Sequence, residues 1–338
     1  MNYNKKINKK KIILSFSLII LIFLTLFIVA KLRTTFPGVE GISIDNNAEN
    51  VGILKDRVVV LDGNTLRGYN EKASEVFSTK IPLEQGKMVT SQDKIYIADS
   101  KKLLILDKKG KLSKEIELPM TCKYLDFENN GVIVQGETMQ IAFNEEGKTL
   151  GSVVSDEGMM SENSISSKGT YTVFSSLNIE NNRIYSSLYL IDKKGNQVMK
   201  QNLYDEIIEF IKFVSDEKYI VATNNHIYVF KKEAIEGQVN VNNLKAIDVT
   251  DNYIFIIDED DLLIYDFNFK QIDKISLKTE YKKIKATNKN LVLYNDKNFA
   301  KYEAGKLNDS TSTREIQDIK TFKNNFYLIF EDGVEKIN

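Results

Sequence analysis

Tryptophan is absent from this 338-residue chain, and cysteine and histidine occur once each, as Cys122 and His226. A single cysteine excludes an intramolecular disulfide, so stability has to come from packing. One cysteine and one histidine cannot build the usual zinc site, and as a nucleophilic pair they would lack an orienting third group. There is no Gly-x-Ser-x-Gly elbow and no glycine-rich loop opening a helix for phosphate. Without tryptophan, the chain also lacks the broadest aromatic face for stacking a sugar or a quinone. Asp258-Glu259-Asp260-Asp261 is the densest acidic group. It has neither the alternating oxygen ligands nor the central glycine of a calcium loop, and reads as a solvated turn. No cofactor, no metal and no catalytic residue is expected.

Charge is unevenly placed. All 47 acidic residues lie beyond residue 33, whereas seven of the 46 basic ones precede it, which leaves residues 34–338 about eight units negative. A domain of that balance has no bulk attraction for nucleic acid or anionic headgroups. Ile12 to Ala30 is an uncharged apolar run of 19 residues, roughly 28 Å as a helix and enough to cross a bilayer core. Lys5, Lys6, Lys9, Lys10 and Lys11 precede it. That bias predicts a basic cytoplasmic tail (1–11), a single-pass plasma-membrane anchor (12–30), a linker (31–37) and an extracytoplasmic domain (38–338). A cleaved signal peptide is the alternative, although its apolar region is usually shorter.

Beyond the anchor, apolar alternation of period two dominates, as in Lys94-Ile95-Tyr96-Ile97-Ala98. A turn motif recurs with it: Asp107-Lys108-Lys109-Gly110, Asn144-Glu145-Glu146-Gly147 and Asp192-Lys193-Lys194-Gly195, with weaker copies at Asn70, Lys231, Asp266 and Tyr302. The steps are 37, 37, 48, 39, 35 and 36 residues, and a further 36 reaches Asn338. Four-stranded units of this length predict an all-β, eight-bladed β-propeller. The eighth unit lacks an outer strand, which the segment Gly38–Ile44 would supply, closing the ring and covering a sheet edge. Seven blades with a separate N-terminal hairpin is the alternative, and an irregular β-sandwich is a third.

The unit before Asp192 is longer than its neighbours, with an extended hairpin around Asn181-Asn182. Its flanking connectors, Asp156–Met160 and Tyr204–Ile208, emerge on the same face as the hairpin tip. Met159, Met160, Asn182, Arg183, Tyr185 and Tyr204 are therefore the candidate interaction residues, methionine being adaptable at partner surfaces. Loop growth without function accounts for the same features.

The apolar B and C strands followed by Asp-Lys-Lys-Gly-Lys, clearest over Lys94–Lys111, resemble the quinoprotein-like propellers. That group includes pyrroloquinoline-quinone enzymes and non-enzymatic scaffolds that help assemble envelope proteins. The docking tryptophans of the enzymes are missing here. With its anchor, the chain also looks like an uncharacterised membrane-anchored propeller family of Gram-positive bacteria. The resemblance implies a non-catalytic platform for an envelope protein or a wall polymer. An envelope hydrolase or lyase with carboxylates and tyrosine at the central channel is one rival, and a small-ligand sensor is another.

Overall fold

The computed structural model describes residues 36–44, 48–83, 86–156, 158–303 and 305–337. The apolar run Ile12–Ala30 lies outside them. Among the described residues no helix is long and apolar enough to cross a membrane.

Eight four-stranded antiparallel sheets follow one another around a central channel. In blades 1 to 7 the strands run A to D from the axis outwards. Blade 2 is typical, with Lys87–Thr90, Lys94–Ala98, Lys102–Asp107 and Leu112–Glu117. Its B strand is buried on both faces at Ile95-Tyr96-Ile97-Ala98, while its D strand is mostly exposed. A strand clamped between two neighbouring blades has to be apolar throughout, whereas the outer strand meets water. Eight apolar clusters fill the interfaces between blades, one for each adjacent pair.

Blade 8 takes Asp318–Phe322, Asn325–Phe330 and Gly333–Lys336 from the end of the chain and Gly38–Glu40 from its beginning. The register pairs Gly38 with Glu335 and Glu40 with Gly333. Phe36, Val39, Ile42 and Ile44 are buried against blades 8 and 1, and the Tyr327 hydroxyl donates to the Phe36 carbonyl over 2.9 Å. Backbones approach so closely here that a Cβ on Gly333 would stand 2.5 Å from the Val39 oxygen. Arg314 lies over the Phe330 ring and pairs with Asp332 and Glu335.

The recurrent turn has a local cause. Asp107 Oδ1 accepts from the amides of Lys109 and Lys111 at 2.8 and 3.0 Å, and Gly110 takes a φ of +76°. Asn144 and Asp192 repeat the arrangement. The copies at Asn70 and Asp266 share it, with Ala73 and Phe269 in the left-handed position. Lys231 and Tyr302 depart from it. There the C–D connections are two-residue turns, with Lys231 paired to Ala234 and Glu303 to Lys306.

A–B and C–D turns form one face of the disc, called lower below. B–C turns and D–A connectors form the upper face. The extended hairpin of blade 4, Tyr171–Glu180 and Arg183–Asp192, stands on the upper face. The segment 204–213 is a strand end, the connector Asp205–Ile207 and strand A of blade 5, Ile208–Phe213.

Candidate functional site

Two regions carry the chemistry of the described residues, the rim of blade 4 and the central channel. The strands of the blade 4 hairpin have ten residues each, against five or six in the B and C strands of blade 2. The surplus residues have fewer neighbours to pack on and are held by polar groups. Asn178 Nδ2 donates to Ser187 Oγ over 3.1 Å and to the Ser176 carbonyl at the same distance. Ser187 Oγ in turn donates to Asn202. Asn181 and Asn182, with φ of 48° and 61°, form the tip, where asparagine tolerates the left-handed conformation.

Ile179 and Ile184 pair across the hairpin just below that tip. Ile179 is 70% exposed and Met159, on strand A of the same blade, 61%. Ile184 is also exposed on that side of the sheet, whereas Tyr204, paired with Tyr185, is exposed on the opposite side. Arg183 pairs with Asp205 beside them.

The six candidate interaction residues therefore divide. Met159, Asn182, Arg183 and Tyr204 are on the surface. Met160 is 5% exposed and packs between blades 3 and 4. Tyr185 is 7% exposed beneath the ring of Tyr204, with centroids 5.4 Å apart. These two side chains are buried within the propeller. Ile179 and Ile184 are exposed instead, and a strict count of alternation up to the Asn-Asn turn would have found them.

The connector below the hairpin is fixed by Glu206. Its carboxylate accepts from Thr223 Oγ1 at 2.6 Å and from the Tyr228 hydroxyl at 2.7 Å. Burial and this carboxylate push the Tyr228 hydroxyl well above its usual range. His226 Nδ1 lies 3.2 Å from Glu206 Oε1 without hydrogen-bond geometry. The acidic run is also structural: Asp258 accepts from the amides of Asn242 and Asn243, Asp260 pairs with Lys245, and Asp261 pairs with Lys274. Among the described residues no group of three or more His, Cys, Asp or Glu could hold a metal ion. Cys122 is buried, and burial pushes its thiol up to about 12.

The channel encloses about 820 Å³ and is lined by the A strands. A polar belt runs round its lower half from blade to blade. Glu128 Oε2 accepts from Ser164 Oγ at 2.7 Å, and Ser164 Oγ accepts from the amide of Phe213 at 2.9 Å. Lys212 Nζ donates to Asp248 Oδ1 at 2.6 Å, and Asp248 Oδ2 accepts from the amide of Ala286 at 2.7 Å. Burial works against the charge on Lys212, but Asp248 more than restores it and holds the ammonium above its usual range. Asp318 is partly buried, yet Lys320 and Lys285 keep its carboxyl below the ordinary value.

Two acids go the other way. Burial raises Glu128 to about 7 against the opposing effects of the Ser164 hydroxyl and Lys212. Burial, Asp126 and Glu209 raise Glu162 to about 7. The Glu162 carboxylate accepts no hydrogen bond among the described residues. Between about 4.5, the ordinary value, and 7 the folded chain therefore binds more protons than the unfolded one. Stability should fall as pH rises through that window and level off above it. Urea midpoints measured from pH 5 to 8 should show this slope, and a Glu128→Gln/Glu162→Gln chain should have lost most of it. Equal slopes in both chains would contradict the assignment.

Residues 36–338 match a single family over their whole span. The chain belongs to DUF5711, a family of unknown function. A search of curated proteins finds no match. Among solved structures the chain is similar to Sqt1 of Saccharomyces cerevisiae, at 13% identity and TM-score 0.66, covering 88% of this chain and 97% of that one. It is similar to BamB from Moraxella catarrhalis at 13% identity and TM-score 0.60, covering 88% and 96%. Hydrazine synthase of Kuenenia stuttgartiensis aligns at 9% identity and TM-score 0.51, covering 80% and 97%. Likenesses this distant establish the propeller fold of this DUF5711 member and nothing about its chemistry.

Proposed function

We propose that the protein is a non-catalytic binding platform of the cell envelope, tethered to the plasma membrane by residues 12–30 and holding a protein partner at the rim of blade 4. The observation that carries this is the exposed apolar group Ile179 and Ile184, on a hairpin longer than the blade needs, with Met159 of strand A on the same side of the sheet. Apolar side chains gathered at one edge and braced from below by a polar network suit docking better than solvation. The network of Asn178, Ser176 and Ser187 holds the hairpin in place before a partner arrives, which lowers the ordering cost of binding.

The test is photo-crosslinking in intact cells with the reactive residue at position 179 and a control at Asn64, in the B–C turn of blade 1. One protein captured from 179 and not from 64 is the expected result. Capture should be lost in a Met159→Asp/Ile184→Asp chain that is still folded. Equal capture at both sites, or capture indifferent to those substitutions, would overturn the platform.

Glu162 favours a second reading, a small-ligand or catalytic site in the channel. A carboxyl raised to about 7 with no hydrogen-bond donor, beside Asp126 and the Tyr124 hydroxyl, is suited to exchanging a proton near neutrality. Glu128 is half committed: Oε2 accepts from Ser164 and Ile165, while Oε1 is buried with no hydrogen-bond partner among the described residues.

A further inference from the structure

The charge of the propeller is divided by face. In the recurrent turns of the lower face, the opening carboxylates of Asp107, Asp192 and Asp266 turn inward onto their own turn amides. The flanking lysines are left pointing to solvent. Lys72, Lys108, Lys109, Lys193, Lys194 and Lys231 are all exposed there. Acids that share the face are in part covered: Lys94 lies against Glu146, Lys108 near Asp93, and Lys232 against Glu217. The upper face is the reverse. Its turns and connectors expose Glu137, Asp156, Glu259, Asp260, Glu331 and Asp332. A net negative domain thus has one basic side.

The direction of the closing strand says which side the N-terminal segment leaves from. Gly38 pairs with Glu335, at the end of its strand away from the B–C turn, and Glu40 pairs with Gly333 beside that turn. Strand Gly38–Glu40 therefore runs from the lower face to the upper, and Phe36 stands at the lower face. Only residues 31–35 separate Phe36 from the apolar run that ends at Ala30. Even fully extended, those residues reach no more than about 20 Å.

We propose that the propeller lies with its lower, lysine-bearing face against the anionic headgroups of the membrane that holds its anchor, so that the acidic face and the blade 4 rim point away from the bilayer. This rests on the anchoring by residues 12–30 proposed above. A short tether holds the lysines within reach of the surface, where each adds attraction that fades over a Debye length. The acidic face is repelled by the same surface, so charge selects one orientation of the disc and the tether prevents escape.

The test uses the full chain reconstituted in vesicles that carry a nitroxide on the headgroup of a minor lipid. A fluorophore is placed by Gln197→Cys at the lower end of blade 4, or by Glu180→Cys at its upper end. Both positions are exposed, and both lie across the ring from the tether at blade 8. Cys122 is buried and does not compete for the label. In vesicles with about a third phosphatidylglycerol, the label at 197 should be quenched several-fold more strongly than the label at 180. The difference should shrink at 0.5 M salt, in pure phosphatidylcholine, and in a Lys193→Glu/Lys194→Glu/Lys231→Glu chain that melts normally. Equal quenching at both positions, in protein that floats with the vesicles, would overturn the orientation and leave the anchor standing. Protein that fails to float would overturn the anchor and the orientation with it.

Discussion

Removal of residues 36–44 is expected to leave no stably folded propeller. Those residues bury Phe36, Val39, Ile42 and Ile44 in the cluster shared by blades 8 and 1. At about 1.5–3 kcal/mol for each side chain, the loss is of the order of 6–12 kcal/mol. The whole stability of a domain is commonly about 5–15 kcal/mol. The hydrogen-bonding edge of Gly333–Lys336 would be bared as well. A milder form of the test keeps the chain length: Gly333→Val puts a side chain where the Val39 carbonyl stands, 2.5 Å from the new Cβ. The backbone pair would have to separate, and the melting temperature should fall by at least about 5 °C, the equivalent of roughly 2 kcal/mol. Calorimetry or circular dichroism reads both chains. An unchanged melting temperature after the deletion would sink the closure model.

Asp248→Ala is expected to have the largest effect of any single change in the channel. Its carboxylate accepts from Lys212 Nζ and from the amides of Val249 and Ala286. Truncation leaves three donors without their acceptor, one of them charged. Breaking a buried pair in this way costs about 3–5 kcal/mol. The lower end applies here, because the Lys212 side chain keeps 31% of its solvent access. Asp248→Asn should cost less, since one amide oxygen still accepts. Adding Lys212→Met to Asp248→Ala should recover part of the loss, the stranded ammonium being gone. Urea unfolding of these chains together with Lys212→Met alone reads the coupling. A wild-type midpoint for Asp248→Ala would show that the belt round the channel contributes nothing to stability.

The architecture was legible because its grammar is local. An Asx residue that accepts two amides of its own turn, followed by a residue in the left-handed region, leaves a written trace at Asp107, Asn144 and Asp192. Spacing those traces by one blade recovers the ring. The strand that closes it was legible as an alternating segment with no place in the first blade. The channel was not read in advance, because its partners come from different blades. Glu128 meets Ser164 36 residues on, Lys212 meets Asp248 36 residues on, and Asp248 meets Ala286 38 residues on. Those intervals match the repeat, and that was the signal: polar residues at one strand position in successive units. Met160 was misplaced for a different reason. Asp156–Met160 reads as a connector in the sequence, but Met159 and Met160 already belong to strand A, where neighbouring side chains point to opposite faces, one to solvent and one into the interface with blade 3.

The sharing of blade 8 between the two ends of the chain also sets a clock on synthesis. Gly38–Glu40 is among the first folded segments to be made, and its mate, Gly333–Lys336, is among the last. At about 5–20 residues per second, the first strand waits roughly 15–60 s for its partner. Throughout that interval seven blades can form, but the ring stays open and two sheet edges are available to any other unfinished chain. A polypeptide cut short anywhere before residue 333 never leaves that state, and its sheet edges stay bare.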